Sequence, residues 1–494
     1  MTARRKSPLA ALFFLLGAVG GGACRTGSEP HPSPSIALSP CHLTGSSAQV
    51  VDAICGSLTV REDRAAKTGR TIDLAIAVVK ATGRKSAPDA LFLLAGGPGQ
   101  SALDVYPSIA GSFSRVNLTH DVVLVDQRGT GRSGELACPQ TEVEGTTVDP
   151  AEGAALAARC RRELEKRADL RQYTTAIAMD DLDDVRAALG YETIDLYGAS
   201  YGTRAALVYL RRHERHARAV VVDGVAPPGW ALGASFGSDG QRAMSQIFAR
   251  CAADADCNRA FPDLPASLAA LLAAHERPEQ VVVSHPTTAA PTAVAVSRDS
   301  IAATLHALSY ESETAALLPL LVHAGATTGD LRPLAAQSLI MADSLKLSVG
   351  EHLAVVCSED APFLDPAQVA PRGAESYLGD APAKRYIEAC KGWPRADVTP
   401  EDRAPVVSSV PVLLLSGEMD PVTPPSNAAA AARTLPNSQQ VTVPGEGHGA
   451  LQRSCTRRIV DDFIERASVV GLSTDCLRET RPMRFFTSFA GPQP

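Results

Sequence analysis

Apolar residues in this chain gather in short continuous runs that end in turn signals. TIDLAIAVV (71–79), ALFLLAGGPG (90–99), DVVLVDQRG (121–129), TIDLYGASYG (193–202), ARAVVVDGV (217–225) and VPVLLLSGEMD (410–420) all have this form. They read as strands, and the unbroken Val/Leu character of the last two predicts strands covered on both faces. Between them, MDDLDDVRAALG (179–190) sets acids in its first turn and Gly190 at its end, which marks a helix. Strands alternating with helices predict an α/β fold, a mostly parallel sheet with helices on both faces. The rhythm breaks over 228–405, where SLAALLAAHE, TAALLPLLVHAGA and a Thr- and Pro-rich stretch at 286–296 carry no strand–turn–helix repeat. That span reads as an inserted, mainly helical cap. It divides a first core part, 41–227, from a second, 406–494.

The N-terminus and the cysteines add a compartment. Arg4, Arg5 and Lys6 precede the apolar run Leu9–Val19 and a small-residue stretch before Cys24, so residues 1–23 read as an export signal. The run is shorter than the ~20 residues a membrane-spanning helix needs. A small residue before Cys24 resembles a lipoprotein cleavage site, but Gly21 stands where an aliphatic residue is usual. Secretion, a periplasmic location and attachment to the membrane through a lipid on Cys24 all stay open. Residues 24–40, rich in Pro and Ser, read as a flexible tether. Ten further cysteines form an even set, which in an exported chain predicts disulfides, with sequence neighbours falling in five local pairs. A metal cluster is disfavoured, since C-x-x-C spacing and nearby His are missing. The net charge of −7, with no basic block outside the N-terminus, argues against nucleic acid as a partner.

The chemistry centres on Gly198-Ala199-Ser200-Tyr201-Gly202, a G-x-S-x-G between a predicted strand and a predicted helix. This turn is sharp enough to need small residues on both sides, and it lifts a serine hydroxyl clear of a sheet. A serine needs a base held by an acid, in the order Ser, acid, His for this architecture. Asp420 follows a buried-type strand, and His448 lies 28 residues later in the glycine-rich loop PGEGHGA. Glu418 competes for the acid role but is closer to the strand, so Asp420 is preferred at the loop tip. His213, His216, His306, His323 and His352 fall in predicted helices without such a frame and read as surface or core residues. The oxyanion needs two fixed donors, each worth about 3 kcal/mol. Tyr201 N–H is one, and Gly97 N–H in Gly96-Gly97-Pro98-Gly99 is the other, because Pro98 has no N–H. Catalysis of this kind needs no cofactor, and no phosphate loop, dinucleotide fingerprint or metal motif is present.

GGPGQS (96–101), DQRGTGRS (126–133), GASYGTR (198–204), SGEMDPVTPP (416–425) and GEGHG (445–449) together resemble the α/β-hydrolase serine peptidases of the prolyl iminopeptidase and tripeptidyl aminopeptidase group. The resemblance frames residues 70–455 apart from the cap. Ala95 stands where members commonly carry His, and Tyr201 after the serine fits the tripeptidyl branch. The C-terminal part through Cys455 and Cys476 resembles that branch's TAP-like region. The resemblance implies the α/β-hydrolase fold, with Asp126, Arg128 and Arg132 organising a turn beside the site. It also implies an aminopeptidase acting on a peptide with a free N-terminus. Such an enzyme needs a cap carboxylate for the amine, and Glu311, Glu313, Glu351, Glu359 and Asp360 are all candidates. A carboxylesterase on the same triad is the alternative, and a non-catalytic binding protein retaining the fold is a remote one.

Overall fold

Alternate residues of single strands point into two different cores, so a central sheet divides the molecule. Phe92, Val220, Val222 and Leu414 pack on one side with Leu182, Val185 and Ala206. Leu91, Leu93, Val221, Leu413 and Leu415 pack on the other with Phe463 and Ile464. This is the period-two geometry of a strand buried on both faces. The computed structural model describes residues 36–45, 49–138, 150–344 and 346–490. The expected signal at 1–23, Cys24 and the tether up to residue 35 lie outside the described residues.

The sheet has nine strands in the spatial order β1–β2–β3–β5–β4–β6–β7–β10–β11. They are β1 Ser39–Thr44, β2 Val50–Arg61, β3 Thr71–Val79, β4 Ala90–Leu94, β5 Asp121–Val125, β6 Ile194–Ala199, β7 Ala217–Asp223, β10 Val412–Gly417 and β11 Ser438–Val443. β1, β2, β3 and β5 pair antiparallel. From β5 onward every pairing is parallel. A mostly parallel sheet with helices on both faces is the α/β-hydrolase architecture, as expected. The helix Thr175–Leu189 ends as its sequence announces, with Gly190 left-handed at φ 85°. The C-terminal ends of β4, β5, β6, β7, β10 and β11 open on one edge, where sheets of this kind build their sites.

Three features differ from the sequence reading. β1 begins inside the expected tether, where it pairs with β2 and is tied to it by Cys41–Cys55. The Thr- and Pro-rich stretch of the cap region forms half of a two-stranded hairpin, β8 Glu279–Ser284 with β9 Pro291–Val296. Finally, the cap region divides between two cores. Met244, Ile247, Leu271, Leu305 and Leu321 form a core of their own, which takes in Met419 from the loop after β10. Leu353, Val356 and Trp393, further along the same span, pack instead with the main core. The cysteines pair as sequence neighbours: Cys41–Cys55, Cys138–Cys160, Cys251–Cys257, Cys357–Cys390 and Cys455–Cys476. No described helix is long and apolar enough to cross a membrane.

Candidate active site

Ser200 sits between β6 and the helix Tyr201–His213 with φ 54° and ψ −121°, a region that a non-glycine residue enters at a cost of about 1–3 kcal/mol. The surroundings enforce it. Ser200 N–H donates to Asp223 O at 2.9 Å, and Ser200 O accepts from Thr203 N–H at 2.9 Å and from the Thr203 hydroxyl at 2.6 Å. The two glycines of the motif are required by close approach. A Cβ on Gly198 would lie 2.2 Å from Gly202 O, and one on Gly202 would lie 2.1 Å from Leu94 O. Strand, turn and helix are thus pressed together, and the serine is the residue left standing out.

Asp420 and His448 come from the loops after β10 and β11. Asp420 is fully buried, and its Oδ2 lies 2.9 Å from His448 Nδ1. Its Oδ1 accepts from Val422 and Thr423 N–H at 2.8 and 2.7 Å, and Oδ2 also accepts from the Thr423 hydroxyl at 2.8 Å. Burial works against ionising Asp420, but the imidazole charge and these hydrogen bonds outweigh it and hold the carboxyl below its ordinary range. Burial likewise opposes a charged His448, and the facing Asp420 more than compensates, so the imidazole lies above its ordinary value of 6.5. Glu418, the competing acid, points elsewhere: its carboxylate accepts from Gly445 N–H at 2.9 Å. Among the described residues Ser200 Oγ makes no hydrogen bond. Its loop nevertheless abuts the base, since Ser200 N–H is bonded to Asp223 O and the next residue, Gly224, packs on the His448 ring.

Gly97, Ser200 and Tyr201 line one small pocket, with Trp230, Leu232 and Val422 as apolar walls and Arg204 and Asp360 as its charged pair. Asp126 joins two motif loops behind it. Its carboxylate accepts from the Ser101 hydroxyl at 2.7 Å, from Leu103 N–H at 3.1 Å and from Arg132 N–H at 2.9 Å. Arg128 is buried and clamps Asp181 through Nε at 2.7 Å and Nη2 at 2.9 Å, while donating to Glu62 O and Gln172 O. Of the five cap carboxylates, Glu311 and Glu313 are exposed. Glu351 is buried, and burial, with Glu359 nearby, pushes it well above the usual carboxylate range. Glu359 accepts from Thr175 N–H and hydroxyl, both at 2.7 Å. Asp360 accepts from Arg204 at 2.9 Å and Leu232 N–H at 3.0 Å, and of the five it alone lines the Ser200 pocket.

Several residues with a part in this geometry escaped the sequence reading. Asp223, at the end of β7, accepts from Ala450 and Leu451 N–H at 2.8 and 3.0 Å and so anchors the chain just after His448. The strand run that ends in Asp-Gly was its available signal. Tyr310 O accepts from His448 N–H at 2.5 Å, and the two rings meet edge to face at 5.2 Å. Arg242 donates to Glu418 O at 3.0 Å and to Asp420 O, bracing the acid loop. His306 and His352, read as surface or core, lie near the site. His306 packs on Tyr310 at 5.4 Å, and His352 bonds Pro98 O at 3.0 Å.

Two His/Asp groups could in principle offer metal ligands, Asp183–His213–His216 and Asp89–His120–Asp195. In both, an arginine already supplies the cation: Arg186 Nε lies 2.7 Å from Asp183, and Arg218 Nε lies 2.7 Å from Asp89. His216, Asp89, His120 and Asp195 also lie at or just before the starts of strands, away from the Ser200 end of the sheet.

Residues 375–476 match the model of the family described as TAP-like protein. The resemblance read from the motifs is therefore shown in the C-terminal part, and the match begins within the span expected to be cap. Tripeptidyl aminopeptidase of Streptomyces coelicolor is 35% identical over 191 residues, and the match spans 35% of each chain, about a third of that relative's length. Serine protease Hip1 of Mycobacterium tuberculosis is 26% identical over 503 residues, 92% of each chain. Carboxylesterase B of Mycobacterium tuberculosis is 29% identical over 473 residues, 87% of each chain.

Proposed function

We propose that this chain is an exported serine hydrolase that releases short N-terminal peptides or single residues from peptides with a free amine. The observation that carries this reading is the Asp420–His448 pair on the same sheet edge as the strained Ser200 turn. In this reading Ser200 Oγ attacks the carbonyl carbon while His448 Nε2 takes its proton and Asp420 holds Nδ1–H. Gly97 and Tyr201 N–H receive the oxyanion in the pocket they share with Ser200. The tetrahedral intermediate collapses as His448 gives the proton to the leaving amine. Water, deprotonated by the same imidazole, then releases the acyl group and restores Ser200.

Asp360 is the carboxylate best placed to receive the substrate ammonium. Arg204 neutralises one negative charge there, and Glu359, 3.7 Å from the same guanidinium, leaves the cluster a further carboxylate. Labelling by a fluorophosphonate that is abolished in Ser200→Ala tests the nucleophile. Acetylating the substrate amine should lower kcat/KM about a hundredfold, the ~3 kcal/mol of an unpaired buried charge. Equal cleavage of free and acetylated peptides would overturn the amine reading. The second reading, a carboxylesterase on the same triad, is favoured by the likeness to carboxylesterase B and by the apolar pocket walls. Activity confined to esters would select it. Five disulfides support export, and the N-terminal sequence of the secreted protein, with the mass of its first peptide, distinguishes cleavage from lipid attachment at Cys24.

A further inference from the structure

The Gly96–Gly99 loop has little of its own to hold its shape. Gly97 and Gly99 adopt φ 107° and 108°, conformations that glycine enters freely and leaves as freely. Inside the loop, Gly96 N–H donates to the Gln100 side chain at 3.1 Å, and Gln100 N–H reaches Gly96 O only at 3.4 Å. The firm contacts come from a distant part of the sequence, the start of the helix Val349–Glu359. Ser348 N–H donates to Gly99 O at 2.9 Å, and His352 Nδ1 lies 3.0 Å from Pro98 O. Leu347 closes over the loop, since a Cβ on Gly97 would meet its Cδ2 at 3.1 Å.

We propose that His352 is a positioning residue that aims the Gly97 N–H by holding the Pro98 carbonyl, which rests on the reading of Gly97 as an oxyanion donor. A carbonyl only accepts, so the proton of the ring lies on Nδ1 and the imidazole donates. Burial favours the neutral ring and, despite the Pro98 bond, holds it below the ordinary histidine range, so it needs no charge to do this. Packing against Tyr386 at 5.7 Å fixes the ring plane. The Pro98 carbonyl belongs to the Pro98–Gly99 peptide group, and because the Pro98 ring sets its own φ, holding that group limits how far Gly97 can turn. Asp126 holds the chain just beyond, at Ser101 and Leu103, so the stretch free to move is the one His352 grips.

The test uses the full-length secreted protein and a matched pair of p-nitrophenyl carboxylic ester and thionoester. Losing an oxyanion donor outright costs about 10²–10³ in kcat, so mis-aiming one in His352→Ala should cost about 10–30-fold in kcat with KM within about twofold. Sulfur accepts hydrogen bonds poorly, so thionoester hydrolysis should fall much less. His352→Asn, whose amide N–H can take the Nδ1 position, should recover most of the ester rate. His352→Phe, which fills the space against Tyr386 without a donor, should not. The proposal is overturned if His352→Ala keeps its ester rate, if ester and thionoester fall equally, or if Phe rescues as well as Asn. Fluorophosphonate labelling of Ser200 in the unmodified protein separates these outcomes from failure of the hydrolase reading, which would show there first.

Discussion

Replacing Asp420 by Asn changes the acid's chemistry without changing its size. The carboxylate is buried with both oxygens engaged: Oδ1 by two backbone N–H groups, Oδ2 by the Thr423 hydroxyl and His448 Nδ1. Asn keeps one acceptor oxygen, and the two N–H groups will claim it, since an unpaired buried donor costs about 1–3 kcal/mol. Its NH₂ then faces Thr423 Oγ1 and His448 Nδ1 and donates to both. His448 is forced to carry its proton on Nε2, and cannot accept one from Ser200. A wrong tautomer of this kind lowers kcat about 10⁴-fold, or ~5.5 kcal/mol. Asp420→Ala behaves differently. Thr423 Oγ1 lies 3.0 Å from His448 Nδ1 and, released from the carboxylate, can accept that proton and preserve the tautomer. The two N–H groups lose their acceptor, so stability falls by about 2–6 kcal/mol. The variants should therefore cross, Asn losing more kcat and Ala more Tm, when steady-state rates on one substrate are set beside calorimetry. An Asn variant within tenfold of the parent rate, or an Ala variant slower than Asn, would refute the tautomer argument.

Because Asp420 holds the His448 imidazole above 6.5, and the base works only when neutral, kcat/KM should rise with pH through a midpoint above 6.5. A midpoint at or below 6.5 in a pH–rate profile would contradict this. Gly202→Ala places a Cβ 2.1 Å from Leu94 O, a backbone clash with no flexible side chain to yield, and should cost ~3 kcal/mol or more by thermal unfolding. The unreduced protein should show none of its ten paired cysteines to an alkylating reagent in a mass spectrum. Replacing both Cys357 and Cys390, which close a separation of 33 residues in the main core, should cost ~3–4 kcal/mol.

What could be read from the sequence is what local physics dictates. The Val/Leu runs at 90–94, 121–125, 217–223 and 412–417 sit on strands because a strand buried on both faces must be apolar at every position. Gly198 and Gly202 announce the serine turn because two backbones approach to distances that exclude any Cβ. β2 escaped notice because it lies beside the edge strand, with half-exposed residues through most of its length. β8 and β9 escaped because their apolar runs are only three or four residues long and sit among alanine-rich helices, with alternate side chains exposed. The choice among five cap carboxylates was equally out of reach. Exposure separates Glu313 from Asp360, and exposure there depends on Arg204, a residue 156 positions away.

The same distinction shows what the cap region does for the site. The loops that carry Asp420, His448 and Gly97 are each met by a segment from 228–405. Arg242 donates to the carbonyls of Glu418 and Asp420 on the acid loop. Tyr310 O takes the His448 N–H, and Ser312 donates to the buried Glu446 at 3.0 Å while accepting from Arg453 at 2.8 Å on the base loop. Ser348 and His352 hold the glycine loop after β4. A lid that merely covered a finished site would touch the rims of these loops and leave their backbone groups to bond one another. Here the loops do bond one another, as Met419 N–H does to Glu446 O at 2.8 Å, but the Glu418, Asp420, Pro98 and Gly99 carbonyls and the His448 N–H find partners in 228–405. A buried backbone group left unpaired costs as much as a lost hydrogen bond. The span 228–405 therefore has to stay in place for these backbone groups to stay paired. Substrate selection and alignment of the reacting groups consequently depend on one set of contacts, so changes in this region that alter the pocket should also move kcat.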